Sequence, residues 1–572
     1  MAVLRDRMLA EIRRWPASLC GTGLLLGALC FAASLTPSLV PRTWLTQGVL
    51  AGLCFAAGYG VGLLLRRLWR YLELPQAPAR LQRGVTVMIL VACVGVVLSF
   101  LWRAAYWQNS IRAVMQMPPV DSAHPFKVGL LAIGVFAVAV VLFRIAAAGY
   151  RWLAVRLRKV LPRRVANVAS ALALVAVVWL LASDVLVRSV LRSMDNSFRE
   201  LDALMEPERP QPTVADRCGS AASLVSWEGL GRAGREFIAS GPDAEQIGRI
   251  SGRTAREPLR IYVGLANAGD PQARARLALA EMRRVGAFDR KVLVVVTATG
   301  TGWVDPAAME AVEYLHEGDV ASVAMQYSYV SSPLSLLLYP DYGEAAAQAL
   351  FREVYAYWTH LPKQHRPKLY LHGLSLGARN SERSAALFEL LEDPIDGALW
   401  SGPPFNATNW RAITGARNPG TPQWLPQFRD GRMVRFINQH GGPVADDAPW
   451  GPLRIVYLQY ASDPVAFFDT QALYRQPDWL SGPRGADVSP EFRWYPGVTA
   501  LQLTLDMAMS TEPPLGYGHS YAPQHYLDAW AAVSGRSHWS AEGYARLRQH
   551  LEAEARRLEQ GDADPAYGDR GG

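Results

Sequence analysis

At 572 residues the chain is too long for one ordinary domain, and 50% of its residues are hydrophobic. The formal charge of +8 is unevenly divided: residues 1–199 carry net +17 and the remainder net −9. A basic chain would ordinarily raise nucleic-acid binding, but here the excess lies beside apolar runs, and that placement argues against a nucleic-acid partner.

Five apolar segments come first, at about 17–36, 46–65, 85–102, 128–148 and 165–187. Each is near the roughly 20 residues that span a bilayer core. Arg5, Arg7, Arg13 and Arg14 precede the first segment, five arginines from Arg66 to Arg83 separate the second from the third, and six cations from Arg151 to Arg164 separate the fourth from the fifth. The alternate loops carry only Arg42, Arg103, Arg112 and Lys127. This asymmetry predicts a multi-pass protein of the cytoplasmic membrane, N-terminus inside, with everything after about residue 190 extracytoplasmic. That orientation requires an odd number of spans. A cleaved signal peptide is the alternative reading of residues 1–34, since Phe31-Ala32-Ala33-Ser34 resembles a cleavage site. Arg144 and Asp184 fall near segment ends, where snorkelling to the interface accounts for them. Of five cysteines only Cys218 lies outside these segments, so the soluble part has neither an intradomain disulfide nor Cys/His spacing for a metal.

From about residue 200 short β-rich runs alternate with helical stretches, the pattern of a three-layer α/β/α domain with a mainly parallel sheet. Strands are expected at 259–265, 291–297, 320–327, 368–371, 398–401 and 454–460, and helices at 271–285, 341–360, 378–392, 523–534 and 540–558. Val292-Leu293-Val294-Val295-Val296 reads as a strand buried on both faces. Residues 402–450, rich in Pro, Gly and Trp, read either as a cap insertion over the sheet or as a surface loop, and 561–572 as a disordered tail. The division expected is thus a membrane domain over 1–199 and a catalytic domain over 200–560.

The most informative position is Ser375. The strand-like Leu369-Tyr370-Leu371 leads into Gly373-Leu374-Ser375-Leu376-Gly377, and an apolar-faced helix follows. Strand, G-x-S-x-G and helix together form the nucleophile elbow of an α/β-hydrolase. The motif alone is weak, and its flanks carry the inference. A serine in such a turn sits at a helix N-terminus, where free N–H groups favour a developing oxyanion.

A serine needs a base, and the base an orienting carboxylate, in the chain order Ser, Asp, His. The strand at 454–460 is followed by Ser462-Asp463-Pro464, so Asp463 is the expected acid, its alternative role being an Asx-type turn before Pro464. Asp469 and Asp506 are weaker candidates. His519, in the glycine-rich Gly516–Tyr521 loop, is the expected base, with His525 as its competitor. The oxyanion hole is expected from the Leu376 N–H and from the loop of Thr299, Gly300 and Thr301. That loop lacks the spacing of a phosphate-binding loop, so no nucleotide cofactor is expected, and the triad chemistry needs no metal.

With these residues in hand the chain resembles the bacterial membrane-anchored α/β-hydrolase family, in which a multi-helix N-terminal domain precedes a serine-hydrolase-like domain. The resemblance runs over nearly the whole chain. It rests on Ser34-Leu35-Thr36-Pro37-Ser38-Leu39-Val40-Pro41-Arg42 in the membrane part. In the catalytic part it rests on Thr299–Val304, Met325–Tyr329, Arg366–Tyr370, Leu399–Pro404 and Tyr457–Gln459. It implies the fold and a serine triad. The family's members carry Glu where this chain has Leu374 and a second histidine where it has Tyr517; the latter departure singles out His519.

The leading expectation is a serine hydrolase cleaving a lipid or acyl ester, with membrane lipids as its surroundings. Trp303, Trp400, Trp410, Trp424 and Trp450 suit an amphipathic substrate and equally an ordinary core. An acyltransferase with the same triad and a non-catalytic hydrolase-like scaffold are the alternatives.

Overall fold

The computed structural model describes residues 20–75, 78–182, 199–207, 209–329, 342–385, 392–444, 448–535 and 539–560. The Arg5–Arg14 cluster, Asp184 and the expected tail lie outside these residues.

The chain begins with helices α1 (Gly21–Ser34), α2 (Trp44–Tyr71), α3 (Ala79–Val114), α4 (Pro125–Leu157) and α5 (Arg163–Ala182). Three helical stretches, Trp44–Tyr71, Gly84–Val114 and Pro125–Leu157, are long and apolar enough to cross a membrane. The first expected segment corresponds to the shorter apolar helix α1, and the fifth falls on α5. Phe31, Leu35, Ala51, Leu101, Trp107, Val128 and Ala132 form an apolar cluster joining α1 to α4.

The sheet follows, built from β1 (Leu259–Val263), β2 (Val292–Thr297), β3 (Val320–Met325), β4 (Lys368–Leu374), β5 (Gly397–Ser401), β6 (Val434–Ile437) and β7 (Arg454–Leu458). Its order is β1-β3-β2-β4-β5-β7-β6, with every neighbouring pair parallel. All residues of β1, β2, β3 and β5 are buried, as mainly apolar runs require when helices cover both faces. The chain builds β1 to β3 on one side, then crosses to β4 and continues the other way. That reversal falls between β2 and β4, and open α/β sheets bind ligands at the carboxyl ends of such strands. Helix α6 (Leu376–Glu382) starts just beyond the end of β4.

Residues 402–450 contain the edge strand β6, whose Val434-Arg435-Phe436-Ile437 pairs with β7. One compact unit comprises residues 1–182 together with 469–481 and 486–509; the other comprises 183–468, 482–485 and 510–572. The helical unit thus includes helix α7 (Val498–Ala508), which lies between Asp463 and His519 in sequence. Its Val498 joins Ala33, Leu50 and Cys54 in an apolar cluster with Tyr495, Leu501 and Leu505 packed against it. After α7 the chain runs through the 516–521 loop to helix α8 (Pro523–Ser534).

Candidate active site

Ser375 sits between β4 and α6 with φ 56° and ψ −124°. A non-glycine residue is strained there, and such strain is held only where the surroundings dictate it. Two neighbours do so. A Cβ on Gly373 would lie 2.4 Å from the Gly377 carbonyl carbon, and one on Gly377 would lie 2.2 Å from the Thr297 carbonyl oxygen. Only glycine fits either place, which is the physical content of the G-x-S-x-G spacing. The Ser375 N–H donates to the Ser401 carbonyl at the end of β5 (3.0 Å). The serine is 8% exposed.

Beyond β7, Asp463 is fully buried and divides its two oxygens between two jobs. Oδ1 caps the short helix Pro464–Phe467, accepting from the N–H groups of Val465 (2.8 Å) and Ala466 (3.4 Å). Oδ2 binds His519 Nδ1 at 2.7 Å and accepts from the Tyr521 hydroxyl at 2.8 Å. The turn role and the partnership with a histidine therefore coexist on one side chain. The other carboxylates are placed elsewhere: Asp469 caps the short turn that follows it, and Asp506 pairs with Arg42.

The loop carrying His519 is fastened at several points. Gly516 N–H donates to the Ser520 carbonyl (2.7 Å), Gly518 N–H to Ser462 Oγ (3.0 Å) and His519 N–H to the Ser510 carbonyl (2.8 Å). The imidazole packs edge-on against Tyr521, with ring centroids 5.8 Å apart. Its Nε2 is buried and has no hydrogen-bond partner among the described residues. A Cβ on Gly402, whose φ is 47°, would lie 2.7 Å from His519 Cε1. Gly402 directly follows Ser401, which holds the Ser375 backbone. The histidine edge and the serine turn thus meet two adjacent residues, Gly402 and Ser401.

His525 is placed differently. Its Nδ1 is 2.6 Å from the Tyr460 hydroxyl, which also accepts from the Ala522 N–H. Burial pushes His525 down to about 3 and His372, on β4, down to about 4. Neither of these rings has a carboxylate among its hydrogen-bond partners.

In the loop after β2, the Thr299 N–H donates to the Trp303 carbonyl (2.9 Å) and the Gly300 N–H to the Tyr327 hydroxyl (2.9 Å). The Thr301 carbonyl accepts from Gln326 Nε2 (2.9 Å). Two of the three loop donors are therefore engaged in holding the loop. Leu376, at the first position of α6, directly follows the serine. Behind it on α6, burial pushes Glu382 up to about 7, opposed by hydrogen bonds from the Tyr457 hydroxyl and the Asn409 N–H.

Sequence reasoning missed Tyr521, Gly402, Ser462 and Ser510. Tyr521 lies two residues beyond His519, but nothing local says that its hydroxyl turns to Asp463. Among the described residues no group of three or more His, Cys, Asp or Glu side chains is arranged to hold a metal ion.

Residues 259–547 match an alpha/beta-hydrolase family, and residues 35–242 match that family's N-terminal region. The first match alone spans just over half of the chain. The chain belongs to this α/β-hydrolase family. No curated protein and no solved structure matches it. Within the α/β-hydrolase frame the G-x-S-x-G turn stands at the end of β4 and the 298–303 loop at the end of β2, the two strands between which the strand order reverses.

Proposed function

We propose that the protein is a membrane-anchored serine hydrolase acting on an ester of a lipid or a lipid-linked acyl group. The observation that carries this reading is the His519–Asp463 bond at 2.7 Å, with Nε2 left unpartnered among the described residues and Ser375 held on a strained G-x-S-x-G turn. A general base needs a ring nitrogen free to accept a proton, and Nε2, with Nδ1 turned to the carboxylate, meets that need.

In the proposed mechanism Asp463 Oδ2 fixes the tautomer with the proton on Nδ1, which leaves the Nε2 lone pair free. Nε2 takes the proton of the Ser375 hydroxyl as its oxygen attacks the acyl carbon. The Leu376 N–H, at the start of α6, stabilises the oxyanion. The proton then passes from Nε2 to the departing alkoxide. Water, deprotonated by the same nitrogen, releases the acid and restores Ser375.

The three long apolar helices support an anchoring role, and the Lys/Arg asymmetry supports an extracytoplasmic catalytic unit at the cytoplasmic membrane. The test is fluorophosphonate labelling of membranes carrying the wild type or Ser375→Ala. Labelling of the wild type alone supports the proposal; a folded wild type that stays unlabelled sinks it.

A further inference from the structure

The proposed chemistry uses the residues at the start of α6 and leaves a buried carboxyl at its end without a role. Glu382, the last residue of α6, is 6% exposed. Its Oε1 accepts from the Tyr457 hydroxyl on β7 at 2.8 Å, and its Oε2 accepts from the Asn409 N–H at 3.1 Å. The Trp410 N–H also bonds to this carboxyl. Asn409 and Trp410 stand in the first turn of the short helix Thr408–Gly415, whose own N-cap residue, Ala407, makes no side-chain cap. Glu382 therefore caps a second helix from outside it. Asn409 Nδ2 returns a bond to the Glu382 carbonyl (3.2 Å).

The residue before Glu382 is held from the neighbouring strand, where Trp400 Nε1 donates to Ser381 Oγ (3.0 Å). Trp400 on β5 and Tyr457 on β7 are register partners with ring centroids 5.4 Å apart. Two adjacent strands thus reach two consecutive residues at the end of one helix. At the other end, the Ser375 N–H donates to the carbonyl of Ser401, the residue after Trp400. Both ends of a seven-residue helix are therefore tied to the β5–β7 pair. Such ties matter because the Ser375 conformation is strained and persists only where its surroundings over-determine it. An apolar side chain of the size of Glu382 would fill the space without orienting the helix. The carboxyl instead takes directed hydrogen bonds from β7 and from the 408–415 helix, and those fix the place of the last turn of α6.

We propose that Glu382 is a positioning residue for Ser375: by bridging β7 and the start of the 408–415 helix it fixes the far end of α6, and with it the direction of the serine turn at the near end. The interaction depends on acceptor geometry and survives loss of the charge. A neutral carboxyl, or an amide in its place, can still accept from the two helix N–H groups with one atom and donate to the Tyr457 hydroxyl with the other. The catalytic consequence rests on the serine-hydrolase reading; the mechanical one does not.

The experiment compares wild type, Glu382→Ala, Glu382→Gln and Tyr457→Phe as full-length proteins in lipid nanodiscs, each well below its melting temperature. Its readouts are the rate of fluorophosphonate labelling, and kcat and KM on an activated ester. Glu382→Ala is expected to slow labelling at least roughly tenfold, with kcat falling and KM little changed. Glu382→Gln should restore most of the rate, and Tyr457→Phe, which removes one of the donors, should fall between. Labelling of Glu382→Ala at the wild-type rate overturns the proposal, however far its melting temperature drops, and so does a Glu382→Gln as slow as Glu382→Ala. If Glu382→Ala fails to fold, Tyr457→Phe decides, and an unchanged rate overturns the proposal. A wild type that stays unlabelled sinks the hydrolase reading alone. Hydrogen exchange read by mass spectrometry then decides the positioning, which requires peptides over 373–382 to exchange at least roughly tenfold faster in Glu382→Ala, with β1 unchanged. Faster exchange confined to 408–415 overturns it.

Discussion

The Tyr521 hydroxyl and the His519 ring bind the same oxygen of Asp463, at 2.8 Å and 2.7 Å. Two donors on one carboxylate oxygen fix its direction more closely than one does. A hydrogen bond to a charged group contributes about 1.5–3 kcal/mol, so Tyr521→Phe is expected to lower turnover by roughly ten- to a hundredfold. KM should change little, since the hydroxyl is aimed at Asp463. Steady-state kinetics on an activated ester would check this, and an unchanged kcat would remove Tyr521 from the site.

Gly402 supplies a steric test of the same constellation. An added methyl would meet His519 Cε1 at 2.7 Å, Tyr521 Cε2 at 2.9 Å and Asp463 Oδ2 at 3.0 Å. The backbone is also in the left-handed region, which adds about 1–2 kcal/mol of strain for a residue with a Cβ. Gly402→Ala is therefore expected to move the imidazole and to reduce fluorophosphonate labelling at least tenfold, with only a modest loss of melting temperature. Full labelling at wild-type rates would mean that the histidine has room the structure does not give it.

Much of this was legible in the sequence. Short apolar runs marked six of the seven strands, most clearly Val292–Thr297, because burial on both faces leaves few alternatives to such residues. Gly373 and Gly377 marked the elbow, because their close backbone contacts admit no side chain. The rest depended on contacts distant in sequence. β6 is only four residues long inside a Pro- and Gly-rich stretch, and pairing with β7 defines it. Asp506 looked like a spare acid, since its partner Arg42 is 464 positions away. The loop after β2 showed its glycines, but not that the N–H groups of Thr299 and Gly300 are already spoken for.

The buried titratable groups fix a pH window for stability. His372 and His525 are held down to about 4 and about 3, from an ordinary 6.5. Below pH 6.5 the unfolded chain gains protons there that the folded chain refuses, so stability falls with acid. Burial pushes Glu382 up to about 7 and Glu310 up to about 8, from 4.5. Above pH 4.5 the unfolded chain releases protons there that the folded chain keeps, so stability falls toward alkali until those groups ionise. The two trends oppose each other between about pH 4.5 and 6.5, and stability should be greatest and flattest in that window, falling by up to about 2.7 kcal/mol per pH unit beyond either side. Thermal melts from pH 3.5 to 8.5 would show it, and Glu382→Gln should roughly halve the alkaline slope. A steady rise through pH 8 would mean that the two glutamates are ionised in the fold.

Replacing each histidine separately divides the roles most directly. His519 faces a carboxylate with Nδ1 and leaves Nε2 unpartnered, whereas His525 ties Tyr460 to the start of α8 and stays neutral when buried. Removing a triad base lowers kcat by roughly 10⁴-fold or more, so His519→Ala should lose nearly all turnover while keeping its melting temperature within a few degrees. His525→Gln should do the reverse. It breaks a buried hydrogen bond worth about 1 kcal/mol and should lower the melting temperature, while turnover stays within about tenfold of wild type. Kinetics and melting measured on the same two preparations decide the matter. Comparable turnover losses in both variants would mean that the base is not His519 acting alone.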